Sequence, residues 1–264
     1  MKVSLIIATY NWEQALAAVL HSLKLQSKLP DEVIIADDGS KEATANLIAD
    51  CAKDFPVPLI HSWQPDDGFR LAESRNRAFA KATGNYYIMI DGDLILPPRF
   101  IEDHIINARP NQFIQGGRVI MEPNCSENTL LTRKLPSLLS KGIRNRHNSI
   151  SNRFISGLFS KISNSDKSTR GCNMSFWADD FKRVNGFNND FVGWGREDSE
   201  FVHRMLNSGI NRLYLKFAGA GFHIYHDESP RESLPANDII LTNTVEHKLK
   251  RCQNGVDKFI EHTL

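Results

Sequence analysis

The sequence predicts an α/β fold with a mostly parallel central sheet and helices on both faces. Three observations carry that prediction. Short strand-like runs are apolar throughout, stretches between them place apolar residues at helical spacing, and polar clusters stand just beyond the strand ends. A strand apolar on both faces is what a sheet covered on both sides requires. Alternation of strand and helix patterns then implies parallel order.

Val3 to Ala8 reads as the first strand and runs into Thr9-Tyr10-Asn11. From about Trp12 to Leu25, the residues Leu16, Val19, Leu20 and Leu23 fall at helical spacing. Asp31 to Ala36 reads as a second strand, stopped by Asp37-Asp38-Gly39-Ser40. Ser40 is placed to cap the next helix, whose face includes Ala43, Leu47 and Ile48. Pro56 to Ser62 reads as the third strand, and Arg75 to Thr83 as the third helix, ended by Gly84 at a C′ position. Tyr86 to Ile90 is the fourth strand and ends at Asp91-Gly92-Asp93. Residues 1–93 thus read as βαβαβαβ. Ligands of such sheets bind beyond the carboxyl ends of the strands, where the three polar clusters collect. No Gly-x-Gly-x-x-Gly follows the first strand, which counts against a dinucleotide-binding dehydrogenase.

Composition narrows the classes. Among 264 residues, 32 Lys and Arg nearly balance 31 Asp and Glu, for a net charge of +1. That argues against a bulk nucleic-acid binder, so no nucleic-acid partner is expected. Cys51, Cys125, Cys172 and Cys252 are far apart, which predicts free thiols in a reducing compartment. No window approaches the roughly 20 apolar residues of a membrane span, and the N-terminal apolar run is too short for a signal peptide. A cytoplasmic location is therefore expected. Residues 133–170 stand apart. Arg133, Lys134, Lys141, Arg144, Arg146, Arg153, Lys161, Lys167 and Arg170 stand against the single acid Asp166, interleaved with Leu135, Leu138, Leu139, Ile150, Phe154, Ile155, Leu158, Phe159 and Ile162. This is either a solvated loop or helix on the domain surface, or a basic amphipathic segment that meets an anionic membrane or an anionic acceptor.

The chemistry-bearing residues sit at element ends. Asp91-Gly92-Asp93 places two carboxylates where they can share a divalent cation and its diphosphate, with Gly92 leaving room at the backbone. It could also be a plain Asp-Gly turn. A carboxylate of Asp37-Asp38 can accept a hydrogen bond from uracil or ribose. Arg70, Arg75 and Asn76 could face a diphosphate, although a surface salt bridge is the simpler reading of each arginine. Glu197 and Asp198 open a helix with Phe201, Met205 and Leu206 on one stripe, so its positive end favours their ionised form. An ionised carboxylate there can take a proton from a sugar hydroxyl. Trp194, between Gly193 and Gly195, can floor a sugar ring. His223 and His226, near a strand end, can complete the metal shell begun by Asp93.

Together these residues resemble the family 2 glycosyltransferases of the GT-A fold, on Ala8-Thr9-Tyr10-Asn11, Asp37-Asp38-Gly39-Ser40 and Asp91-Gly92-Asp93. The second half resembles the bacterial chondroitin polymerase domains and the β-1,4-galactosyltransferases. That likeness rests on Gly171-x-Asn173-x-x-Phe176, Trp194-Gly195-x-Glu197-Asp198 and Tyr225-His226.

The resemblance implies one Rossmann-like GT-A domain over 1–264. Residues 1–115 would bind the nucleotide sugar and 116–230 the acceptor, with the basic insertion 133–170 and a helical tail 231–264. It implies an inverting transfer of a hexose or N-acetylhexosamine from a UDP-sugar to a glycan or lipid-linked glycan hydroxyl, with Mn²⁺ or Mg²⁺, in lipopolysaccharide, capsule or related surface polysaccharide synthesis. Ala8, Tyr10 and Asp38 would contact the nucleotide, with Arg70, Asn76, Asp91, Gly92, Trp194 and Asn173 around the donor. Asp93 and His226 would ligate the metal, with His223 the rival ligand. Asp198 would be the general base and Glu197 an acceptor-binding acid. Arg196 stands where the relatives usually have Gly. The competing classes are a sugar nucleotidyltransferase and a non-catalytic nucleotide-sugar-binding scaffold.

Overall fold

A computed structural model describes residues 1–165, 169–227 and 231–260. Asp166 and Lys167 of the basic segment and the last four residues of the tail lie outside them. The front half runs β1 (Val3–Thr9), α1 (Glu13–Lys24), β2 (Glu32–Asp37), α2 (Glu42–Ala52), β3 (Leu59–Trp63), α3 (Leu71–Lys81), β4 (Tyr86–Asp91), β5 (Leu94–Ile95) and α4 (Phe100–Asn107). There follow β6 (Gln112–Gln115), β7 (Arg118–Met121), α5 (Pro123–Thr132), β8 (Ile143–Arg144), α6 (Arg153–Phe159) and β9 (Lys161–Ile162). The chain closes with β10 (Asn173–Trp177), α7 (Ala178–Arg183), α8 (Glu197–Asn207), β11 (Asn211–Tyr214), β12 (Gly221–His223) and α9 (Leu234–Glu246).

The main sheet has the order β3-β2-β1-β4-β10-β6-β11-β9. β1 pairs in parallel with both β2 and β4, and β2 with β3, as βαβ units require. β10 runs antiparallel between β4 and β6. Residues of alternate parity serve the two faces. Leu5, Ile7, Val33, Ile35, Ile88 and Ile90 meet Leu16, Val19, Leu20, Leu23 and Ile48 of α1 and α2. Ile6, Ile34, Tyr87 and Met89 meet Phe79, Phe181 and Phe201 of α3, α7 and α8. On that second face Phe79 and Phe181 lie 4.2 Å apart between ring centres, and Phe187 and Phe201 4.6 Å apart, which locks the back half onto the front. A second sheet, β5-β12-β7-β8, lies beyond the end of β4.

The structure shifts three local readings. Ser40 does not cap α2, because its Oγ accepts the Asn11 N–H at 2.8 Å and Lys41 is the N-cap. α3 begins at Leu71, four residues before the expected start, so Arg75 and Asn76 sit mid-helix. Gly84 does not end α3. Ala82 does, in extended conformation, and a Cβ on Gly84 would press within 2.8 Å of the Lys2 carbonyl, so glycine there serves chain crossing. The four cysteines are free thiols, and no described helix is long and apolar enough to cross a membrane.

Candidate active site

The carboxyl ends of β1, β2 and β4 open into a cleft of about 1000 Å³, closed on the far side by β12, the start of α8 and the loop after β12. Ala8, Tyr10, Asp38, Asp91, Gly92, Asp93, Trp194, Glu197, Asp198, His223 and His226 all line it. β1 and β4 place their ends side by side, Ala8 opposite Asp91, so the Asp-Gly-Asp turn sits against the first polar cluster. Gly92 donates its N–H to the Ala8 carbonyl at 2.7 Å, and a Cβ there would come within 2.6 Å of that oxygen. The turn needs glycine for this approach to β1, a reason the sequence did not show.

Asp38 is buried at the end of β2. It accepts from Gln64 Nε2 at 2.6 Å and from the Arg70 N–H at 2.8 Å, yet burial outweighs these donors and pushes its carboxyl up to about 6. Tyr10, half exposed at the mouth, donates its hydroxyl to Asp66 at 3.0 Å. Arg70 contributes its backbone, whereas its guanidinium is taken by Asp67 at 2.6 Å and does not line the cleft. Asn76 is not in the cleft either. Fully buried, it bonds the Phe187 N–H and carbonyl and the Asn189 side chain at 2.7–2.9 Å, fastening the loop after α7. Asn173 is likewise internal and donates to the Gly117 and Gly219 carbonyls.

The metal-ligand candidates converge. Asp93 Oδ2 lies 3.4 Å from His223 Nε2 and 3.3 Å from His226 Nε2, so both histidines of the β12 end reach it. His226 Nδ1 donates to the Asp227 carbonyl at 2.7 Å, which turns Nε2 inward as the free ring nitrogen. Asp93 Oδ1 is buried with no hydrogen-bond partner. A carboxylate and two imidazole nitrogens facing one another need a cation or a proton between them. Without a metal, Asp93 holds His226 protonated up to about 9. Oxygen and imidazole donors with a spare buried carboxylate oxygen fit a divalent ion such as Mn²⁺ or Mg²⁺.

The acids of α8 complete the floor. Arg196, at φ +79°, turns the chain into the helix, so Glu197 and Asp198 stand at its positive end. Asp198 Oδ2 accepts the Gly171 N–H at 2.7 Å, and Oδ1 accepts the Ser199 N–H at 2.6 Å. A side chain at Gly171 would crowd both Asp198 and Arg75. For Glu197 the ionised form expected at a helix start is not favoured, because burial and the adjacent Asp198 charge outweigh the helix end and raise its carboxyl to about 7. Arg75 is the group that sequence reasoning undervalued. Wholly buried, it donates to Asp91 at 2.8 Å and reaches Glu197 at 3.4 Å, joining the two acidic motifs. The signal was legible, since Arg75 shares a helical stripe with the buried Ala72 and Phe79. Trp194 is held between glycines of positive φ, and Asn237 of α9 donates to the Val192 and Gly195 carbonyls that flank it. The Arg231 guanidinium lies 5.3 Å from its ring centre.

Comparison with known proteins gives the following. The profile described as glycosyl transferase family 2 matches residues 4–165, and the N-terminal domain of galactosyltransferase profile matches residues 154–227. Chondroitin synthase of Escherichia coli is 25% identical over 251 residues, 86% of this chain and 35% of that protein. Chondroitin synthase of Pasteurella multocida (strain Pm70) is 26% identical over 250 residues, covering 86% and 25%. Validoxylamine A glucosyltransferase of Streptomyces hygroscopicus subsp. limoneus is 25% identical over 225 residues, covering 78% and 48%. The chain thus spans a quarter to a half of the length of these relatives. The crystal structure of S. aureus TarS 1-349 in complex with UDP superposes with a TM-score of 0.63 at 15% identity, over 94% of this chain and 68% of that one, a likeness of fold.

Proposed function

The chain belongs to glycosyl transferase family 2 and has the GT-A fold, and on that premise we propose that it transfers a hexose or N-acetylhexosamine from a UDP-sugar to a glycan hydroxyl with inversion at the anomeric carbon. The observation that carries this reading is one cleft holding Asp93, His223 and His226 beside the Glu197–Asp198 pair, with Arg75 joining Asp91 of the Asp-Gly-Asp turn to Glu197. The relatives named as chondroitin synthases support a role in polysaccharide synthesis. The UDP complex of TarS supports the donor class. Lipopolysaccharide and capsule are the surface glycans we propose.

Asp38 and Tyr10 hold the uridine at the ends of β2 and β1, with the Ala8 backbone beneath. Asp93, His223 and His226 would hold a divalent ion, which when bound offsets the charge that develops on the leaving diphosphate. Asp198 takes the proton of the acceptor hydroxyl. As that oxygen bonds to the anomeric carbon, the bond to the diphosphate oxygen breaks and its electron pair leaves with UDP. Gly171 and Ser199 fix the Asp198 carboxylate by their N–H groups, and Arg75 keeps Asp91 and Glu197 in place. Trp194 floors the sugar. A sugar nucleotidyltransferase and a scaffold without chemistry are the readings this one displaces.

Exposed Phe154, Leu158, Phe159 and Ile162 on and beside α6, with Arg153 and Lys161 among them, support a peripheral contact with an anionic membrane surface.

The test is a panel of UDP-sugars scored for transfer and hydrolysis with and without Mn²⁺. Metal-dependent turnover of one UDP-sugar is the expected result. Asp198→Asn, which keeps an acceptor oxygen for Gly171, should lower transfer by about 10²–10⁴-fold with UDP binding retained. Near-normal turnover by that variant removes Asp198 from the base role. No turnover and no UDP binding removes the transferase reading.

A further inference from the structure

The acidic floor of the cleft faces a cationic wall that the transfer chemistry does not use. Arg118 and Ile120 point to one face of β7, and both line the cleft. Ile120 pairs with Arg144 of β8 on one side and with His223 of β12 on the other. Arg144, also in the cleft, therefore stands two strands from the metal-ligand candidate His223, about 10 Å away across the sheet. Arg170 joins them next to Gly171. Arg118 reaches only the Cys172 sulfur, at 3.7 Å, and its Nε is buried with no hydrogen-bond partner. Arg118, Arg144 and Arg170 make no salt bridge among the described residues, whereas Arg70, Arg75 and Arg196 all do.

Three guanidiniums that converge on a cleft without carboxylate partners keep their fork donors for a ligand. Carboxylate and phosphate are the anions that fit them. The donor diphosphate accounts for Arg118 at most, because the wall runs away from Asp93 and His226 through Ile120 to Arg144. We propose that this wall is an acceptor subsite for a negatively charged sugar, one bearing a carboxylate or a phosphate. The proposal rests on the transferase reading and adds the acceptor's chemical class to it.

The test is binding to the complex of the protein with UDP and Mn²⁺, followed by calorimetry. The probes are a glucuronate-ended trisaccharide, its carboxyl-reduced neutral counterpart, and a glycosyl phosphate. One of the two charged probes should bind at least about tenfold more tightly than the neutral one. The difference should shrink at high salt and in Arg118→Gln and Arg144→Gln. Which charged probe binds identifies the anion. Equal binding of charged and neutral probes, binding of none, or weaker UDP affinity in Arg144→Gln with the anion preference intact each overturns the proposal. Failure of UDP itself to bind is read separately, and it refutes the transferase reading instead.

Discussion

Single residues set the protonation and geometry of the cleft. Asp38 shows how. Its burial raises the carboxyl to about 6, so the ionised form, which is the stronger acceptor, prevails only above that pH. Uridine affinity should therefore rise as pH increases through about 6 and fall below it, and Asp38→Asn should flatten the profile. Uridine is the right probe, because the terminal phosphate of UDP would titrate in the same range. A profile unchanged by Asp38→Asn would take Asp38 out of the uridine site. The same scale exposes what a sequence cannot say about one residue. Asp38, Asp93 and Asp198 were legible as a group, because parallel strands bring their carboxyl ends together although each acid alone has a turn or helix-start explanation. Asn76 and Asn173 looked alike in the sequence, but their amides hold backbone crossings that only the folded chain reveals. Arg70 caps α3 partly exposed and pairs with Asp67 in a loop, whereas Arg75 is buried in mid-helix and pairs with Asp91 in the cleft.

Among the elements, β1, β2 and β4 were legible because each is buried on both faces and largely apolar, whereas β3 is a partly buried edge strand that carries His61 and Ser62. β6, β10 and β11 escaped notice. They have four or five residues, with polar residues such as Gln112, Asn173 and Asn211 inside them, and long-range pairing rather than pattern makes them strands. α8 carries two functions on two faces. Its first turn supplies Glu197 and Asp198, and one turn on, buried Glu200 and Arg204 pair at 2.7 Å and take the Thr244 hydroxyl of α9. That contact, with Asn237, seats the tail against the Trp194 loop. α6 is the opposite case, an apolar face left uncovered, with Phe154 77% and Leu158 67% exposed one turn apart. If it lies on a lipid surface, Phe154→Ser with Leu158→Ser should cut sedimentation with phosphatidylserine vesicles by about tenfold or more, and salt should weaken the wild type. Equal sedimentation of variant and wild type would leave α6 without a membrane role.

For the whole molecule, a net charge of +1 conceals a segregation of sign. Carboxylates at the ends of β2 and β4 and the start of α8 gather on one side, Arg118 of β7, Arg144 of β8 and Arg170 beside Gly171 gather opposite, and the cleft runs between. One end of that cleft is built by the first 93 residues and the other by residues about 100 positions later. The resemblance could name the parts of the cleft. The joint between them is Arg75, whose burial its helical stripe implied but whose partners Asp91 and Glu197 only the fold supplies. The central claim is that this cleft binds a UDP-sugar on a divalent ion held by Asp93, His223 and His226. Calorimetric titration of UDP with Mn²⁺ and again in excess chelator tests it most directly. The account predicts saturable binding with Mn²⁺ that weakens at least about tenfold when the metal is removed. Equal affinity with and without metal, or no binding under either condition, would contradict it.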